Sequence, residues 1–197
     1  MPAVPGVATG LAETPVGSDI LFIETAAMPG SGRLILTGQL GEVMRESAQA
    51  ALSLLKSRAG PFGLHSGAFG RDIHVDVPAG AIPKDGPPAG VTMFMSLTSL
   101  LLNRAIDPGV AMTGEISLRG LVLPVDDIRE KVAAAARAGI TTVVLPARNR
   151  RDWGDIPPSA RDTLRFMRLE TVGDALVAAL PDGSGDAAIS PGPDQAT

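Results

Sequence analysis

The chain has 197 residues, enough for one domain with a sizeable core and a short tail. Apolar residues make up 45% and charged residues 19%, a globular balance, and a net charge of −4 argues against general binding to nucleic-acid phosphates. With no cysteine, disulfides and thiolate chemistry are excluded, and with only His65 and His74 a histidine-rich metal site is not expected.

Aromatics amount to 3% with no tyrosine, so the core must come from Leu, Val, Ile, Met and Ala. The N-terminus lacks a basic-then-apolar leader pattern, and no apolar run is long enough to cross a bilayer. The expectation is therefore a cytoplasmic chain with no membrane partner.

In chain order, residues 4–12 and 20–25 read as strands separated by the turn residues Pro15 to Asp19. Pro29-Gly30-Ser31-Gly32 marks a second turn and 33–37 a third strand, which together predict an antiparallel meander. Residues 41–59 have helical periodicity with Met44, Ala48, Ala51 and Leu55 on the buried stripe, stopped by Gly60-Pro61. After a Gly-rich stretch at 60–70, residues 72–77 alternate Ile73, Val75 and Val77 with His74 and Asp76, a strand with one polar face.

Pro83-Lys84-Asp85-Gly86-Pro87-Pro88-Ala89-Gly90 is the stretch around which the rest is organised. Its prolines and glycines predict a tight, irregular loop. It leads into a helix over 88–104 with Val91, Met95, Thr98, Ser99 and Leu102 on one stripe. Proline is tolerated at a first helical position, where unpaired N–H groups and the dipole favour negative charge. Such a place suits a nucleophile and its oxyanion site, yet this one carries no nucleophile.

Residues 110–118 read as one strand, turned by Arg119-Gly120 into 121–124. Asp126 is the expected cap of a helix over 127–138, which stops at Gly139. A β-branched strand at 141–145, a short helix at 149–155, a strand at 166–169 and a closing helix at 172–180 follow. From residue 181 the composition turns to Pro, Gly, Ser, Asp and Ala, so the expected organisation is one domain over 1–180 and a disordered tail over 181–197. The sum is a mixed α/β (α+β) sandwich.

Four separated blocks resemble the proteolytic domain of the Lon family of ATP-dependent proteases. They are Gly41-Glu42-Val43-Met44 with Glu46-Ser47; Pro83 to Pro87 with Ala89-Gly90; Met112-Thr113-Gly114-Glu115-Ile116 with Leu118-Arg119-Gly120; and Leu123-Pro124 with Glu130-Lys131. The resemblance implies the Lon proteolytic fold, similar to the ribosomal protein S5 domain 2-like fold. It also implies a serine–lysine dyad, hexameric rings, unfolded protein or peptide substrates and no cofactor. By the same resemblance Lys131 matches the lysine, Thr113 a threonine that helps orient it, and Asp85 a residue shaping the loop. Pro88 stands where the serine belongs.

The departure has a definite chemical meaning. A serine hydroxyl needs a neighbouring base, and a lysine serves only when burial lowers its pKa; Lys131 lies beside the apolar stripe Ile128, Val132 and Ala135, which predicts its partial burial. Pro88 supplies neither a hydroxyl nor a backbone N–H; one lost oxyanion donor is typically worth roughly 2.7–4 kcal/mol. The family usually has two glycines before its lysine helix, where this chain has Asp126-Asp127. Asp127 lies four residues before Lys131, the spacing of a helical ion pair that favours the charged amine. Asp76 stands where many Lon domains have a second histidine, and no phosphate-binding Gly-x-x-x-x-Gly-Lys-Ser/Thr motif occurs.

Each residue also has a simpler reading. Lys131 alone reads as a solvated helix lysine paired with Asp127, Thr113 as a strand residue, and Lys84-Asp85 as loop charge. His74 reads as a half-buried strand residue, and Arg148, Arg150 and Arg151 as a solvated helix start. Ser96, Thr98 and Ser99 fall too far into their helix to replace a residue at its first turn. The expected function is a Lon-type serine endopeptidase domain that has lost activity and serves as ring scaffold or substrate-holding module. The alternatives are an ATP-independent peptidase with another nucleophile, and a binding module attached to an AAA+ ATPase.

Overall fold

A computed structural model of the chain describes residues 3–14, 17–38, 40–78 and 89–180. Nine strands form among them: β1 Val7–Thr14, β2 Gly17–Met28, β3 Leu34–Thr37, β4 Asp72–Asp76, β5 Val110–Met112, β6 Glu115–Ile116, β7 Val122–Leu123, β8 Thr142–Pro146 and β9 Arg165–Leu169. The α-helices are α1 Glu42–Ser57, α2 Gly90–Leu102, α3 Ile128–Arg137, α4 Pro158–Thr163 and α5 Val172–Ala179. Seven strands make one mixed sheet in the order β3-β4-β2-β1-β5-β8-β9, while β6 and β7 form a separate antiparallel pair.

Helices cover both faces of the sheet. Alternate strand residues point to opposite sides, so Val110, Met112 and Val144 join the core under α1, α2 and α5. Leu11, Ala111, Val143 and Leu145 join Ile128, Val132 and Ala135 of α3 and Ala160 of α4 on the other side. The expected mixed α/β class is therefore the observed one.

Several local expectations need correction. The first three strands are not a meander, because β4 lies between β2 and β3 and pairs antiparallel with one and parallel with the other. Gly17, Ser18 and Asp19 are not turn residues; they pair with Thr14, Glu13 and Ala12 and extend β2. The strand expected over 110–118 is interrupted at Thr113-Gly114, where Gly114 has φ 150. The short helix expected at 149–155 is 3₁₀ in form and belongs to a stretch over Ala147–Asp155 that kinks at Asn149, and α4 is a further helix within a polar stretch. The tail expected from residue 181 lies outside the described residues.

Helix α2 departs most from its expected form. Gly90 to Ser99 are buried on every side, not on one stripe, because α1, α5, β1, β2 and β6 all pack against the helix. Its polar side chains are consequently satisfied by backbone. Ser96 Oγ donates to the Gly6 carbonyl at 2.8 Å, the Gly6 N–H donates to Ser99 Oγ at 2.9 Å, and Ser99 Oγ donates to the Arg104 carbonyl at 2.5 Å. Thr25 Oγ1 donates to the Ser96 carbonyl at 3.1 Å. Beneath the helix, β1 uses Gly10, where a Cβ would lie 2.7 Å from Thr92 Oγ1.

At the far edge, the buried Asp72 carboxylate accepts hydrogen bonds from the Ser31 N–H at 2.7 Å, the Arg33 N–H at 2.9 Å and the Arg33 guanidinium at 2.9 and 3.1 Å. Those donors, the Arg33 backbone foremost, hold its pKa down from 3.8 to about 2. A depressed carboxylate contributes stability that is full above its unfolded pKa and lost as pH falls through the folded value. Asp72→Asn is therefore expected to lower Tm at neutral pH, with the gap from wild type closing between pH 3.8 and about 2. Gly10→Ala is expected to lose roughly 1–3 kcal/mol through overpacking against Thr92, measurable by denaturant unfolding.

Candidate active site

Of the four residues singled out above, Lys131 and Thr113 are described, whereas Pro88 and Asp85 lie outside the described residues. The residues that follow Pro88 in the chain, Ala89 and Gly90, are buried and open α2. A Cβ at Gly90 would lie 2.9 Å from the Ile116 nitrogen, so the helix start rests directly on β6. The Val91 N–H donates to the Gly114 carbonyl at 2.9 Å. One of the donors expected to favour an anion at this terminus is therefore already engaged.

Thr113 sits at the break between β5 and β6. Its N–H donates to the Val144 carbonyl at 3.1 Å, which ties it to β8. Its side chain is fully buried, and its hydroxyl has no hydrogen-bond partner among the described residues. A buried hydroxyl without a partner is costly, by roughly 1–3 kcal/mol. The break therefore leaves a polar atom beside the α2 start that ordinary strand packing does not explain.

Lys131 is 1% exposed, which overturns its reading as a solvated surface lysine. It lies one turn into α3, whose stripe Ile128, Val132 and Ala135 is built into the core. Nζ donates to the Asp126 carbonyl at 2.5 Å. The anticipated ion pair with Asp127 is not formed. Burial pushes the Lys131 pKa below 10.5, against the opposing pull of Asp127, Glu13, Asp126 and Glu130. The carboxylates thus moderate the effect of burial but do not cancel it.

The start of α3 also differs from expectation. The helix begins at Ile128, and its cap position is Asp127, not Asp126. Asp127 has φ 56 and ψ 38, a left-handed conformation, and makes no side-chain cap hydrogen bond. Its carbonyl accepts the Lys131 N–H at 3.0 Å. Glu13, from the end of β1, is the one contributor to the Lys131 environment that no helical spacing could reveal, since it lies more than a hundred residues away.

The other candidates are held by local bonds. Ser96 and Ser99 are committed to backbone as described, and Thr98 Oγ1 donates to the Phe94 carbonyl at 2.6 Å. His74 Nε2 lies 2.8 Å from Thr37 Oγ1, which in turn donates to Asp76. With its proton given to Asp76, the Thr37 hydroxyl can only accept from the imidazole, so His74 is not placed to activate it. Arg148 and Arg151 line a cleft of about 500 Å³ at the start of α3, facing Asp126, Asp127, Asp152 and Asp155. No group of three or more His, Asp or Glu is arranged to hold a metal ion among the described residues.

The family model for the Lon protease (S16) C-terminal proteolytic domain matches residues 2–182. The chain is 66% identical over 178 residues to a Lon protease of Methylocella silvestris, covering 90% of this chain and 22% of that protein. It is 63% identical over 185 residues to a Lon protease of Phenylobacterium zucineum, covering 93% of this chain and 23% of that protein. A Lon protease of Methanosarcina barkeri is 58% identical over 177 residues, 90% of this chain and 22% of its own length. The chain thus spans between a fifth and a quarter of these relatives. By the extent of these matches, this chain belongs to the Lon protease C-terminal proteolytic domain family.

Proposed function

We propose that this chain is a Lon-type proteolytic domain that does not cleave peptides and acts as a ring scaffold or substrate-holding module. The observation that carries the reading is chemical: residue 88, where the resemblance places the nucleophilic serine, is proline. Lys131 retains what a general base requires, burial and a lowered pKa, but its amine is directed at the Asp126 carbonyl. Among the described residues it has no side-chain oxygen partner to deprotonate. By the same resemblance Asp85 is read as a loop-shaping residue; Thr113, matched to a lysine-orienting threonine, makes no hydrogen bond to Lys131, whose amine bonds the Asp126 carbonyl.

The partners proposed are further copies of the chain in a hexameric ring, unfolded polypeptide, and an AAA+ ATPase module in the same or another chain. The fraction of the relatives that this chain spans supports such a module in a longer protein. No described helix is long and apolar enough to cross a membrane, which accords with a cytoplasmic site of action. A second reading, an active peptidase with another nucleophile, is favoured by one observation only: the lowered pKa of the buried Lys131.

A peptidase assay on wild type, Pro88→Ser and Lys131→Ala separates these readings. Wild type and Lys131→Ala are expected to be equally inactive on casein and on a fluorogenic peptide, and Pro88→Ser to gain weak cleavage. Cleavage by wild type that Lys131→Ala abolishes would establish the second reading in place of the first. A further outcome concerns Lys131 itself. A lysine whose folded pKa lies below 10.5 binds fewer protons folded than unfolded, so stability rises with pH between the two values. Lys131→Met is expected to flatten that rise, as followed by Tm from neutral pH to about 10.

A further inference from the structure

The seven-stranded sheet ends in two edges of different character. At one, β9 carries Arg165 and Arg168, and the Arg168 guanidinium lies 4.9 Å from the centre of the Trp153 ring. Charged side chains of this kind blunt an open edge against further pairing. At the other, β3 reads Leu34-Ile35-Leu36-Thr37 and holds no charge. It pairs in parallel with β4 and, among the described residues, with no other strand.

The ladder fixes which backbone groups are left over. The Ile73 N–H donates to the Arg33 carbonyl at 2.8 Å, and the Val77 N–H to the Thr37 carbonyl at 3.2 Å. With Leu34 in register with Ile73 and Leu36 with Val75, residues 33, 35 and 37 turn their backbone groups to β4. Leu34 and Leu36 therefore turn both N–H and carbonyl to the open side. Their side chains pack on the core that holds Ile73 and Val75 yet stay half-buried, since no further described strand extends that apolar layer.

The opposite face of the same edge is acidic. Thr37, Asp76 and Glu24 stand in one row across β3, β4 and β2. Like charges directly opposite each other, as Glu24 and Asp76 are, destabilise an antiparallel pair. Asp76 accepts a hydrogen bond from the Thr37 hydroxyl, and neither carboxylate forms an ion pair among the described residues.

We propose that the open edge of β3 takes up an extended polypeptide as an added strand, with aliphatic side chains beside Leu34 and Leu36 and a basic side chain reaching Asp76. Two residues that each present an N–H and a carbonyl, about 7 Å apart along the edge, match the groups of another strand. An added strand lies two strand spacings from β4, roughly 10 Å, a gap that a lysine or arginine stem crosses. The short edge decides against a second folded copy as occupant. Four residues span about 13 Å, a strip far smaller than the roughly 1,200–2,000 Å² that a stable interface buries. The proposal deepens the substrate-holding reading and rests on it for the nature of the occupant, but it involves neither residue 88 nor Lys131.

The test is amide hydrogen exchange of the intact chain, read residue by residue by NMR, with and without a short blocked peptide of alternating valine and lysine. Without peptide, the Leu34 and Leu36 amides are expected to exchange fast and those of Ile35 and Thr37 slowly. With peptide at about ten times its Kd, exchange at Leu34 and Leu36 is expected to slow about tenfold, while Ile35 and Thr37 change little. The same peptide N-methylated on its pairing amides is expected to protect neither, and a valine–glutamate peptide to protect less than the lysine one. Leu36→Pro removes an open-side N–H without breaking the β4 ladder, and is expected to abolish protection at Leu34, whereas Leu36→Val keeps it. Unchanged exchange at Leu34 and Leu36 overturns the proposal, as does equal protection by the N-methylated peptide. Equal protection by the glutamate peptide overturns the role of Asp76. Protection that arises without peptide and grows with protein concentration makes a second copy the occupant and overturns the choice made here. Cleavage of the lysine peptide would defeat the substrate-holding reading, whereas exchange at Leu34 and Leu36 alone decides the pairing.

Discussion

Burial of α2 on all sides is the constraint from which the rest of this structure follows. A helix enclosed by α1, α5, β1, β2 and β6 has no solvent face on which to place polar groups. Ser96 and Ser99 are nevertheless accommodated, because β1 enters with Gly6, whose N–H and carbonyl meet both hydroxyls. Gly6 adopts φ 90 there, and a Cβ would lie 2.5 Å from the Thr25 carbonyl oxygen. The start of β1 and the middle of α2 are thus locked by the same few atoms. Neither could form in its present place without the other, since each would leave buried polar groups unsatisfied.

The same enclosure fixes the beginning of α2. With β6 pressed against Gly90 and the Gly114 carbonyl holding the Val91 N–H, the helix start has one position relative to the β5–β6 break. The break itself is needed because a straight strand would keep Gly114 in register with β8 and withdraw its carbonyl from the helix. A Cβ at residue 114 would approach Val91 Cγ2 at 2.8 Å and Val122 Cγ1 at 2.9 Å, so glycine is required for both space and backbone conformation. Thr113, the residue before it, is left with a buried hydroxyl and no partner among the described residues. Such a group is the kind of local cost that folds tolerate at functional positions.

How much of this was legible in the sequence depended on the range of the deciding interaction. The α1 stripe, the alternation of β4 and the β-branched β8 were readable, since periodicity reports burial directly. The insertion of β4 between β2 and β3 was not, because strand order is set by which edges meet after some forty intervening residues. Gly17 to Asp19 looked like a turn by composition, yet pairing with β1 carried the ladder through them. The blocks of the site were recognisable as motifs, which placed Lys131 and Thr113 in a common context. Their physical state was recognisable only in part: the apolar stripe of Ile128, Val132 and Ala135 beside Lys131 pointed to its burial, whereas the i, i+4 spacing of Asp127 and Lys131 pointed to an ion pair. A left-handed Asp127 and a buried amine replaced it.

That replacement bears on what the surroundings of Lys131 must satisfy. A lysine ammonium has three donors, and Lys131 has one acceptor among the described residues, the Asp126 carbonyl. Two unmatched donors in a dry environment favour the neutral amine, which is why burial outweighs four carboxylates in setting the direction of its pKa. The carboxylates act the other way and, through Asp127, at the point where the backbone already bends toward the amine. Lys131 is consequently subject to two opposed effects, desolvation by the core on one side and local charge on the other, of which desolvation is the larger. A serine hydroxyl would shift that balance by donating a hydrogen bond, and then its proton, to the lone pair of the neutral amine. With proline at residue 88, nothing in the described site does so, and Asp126 remains the partner that the fold supplies.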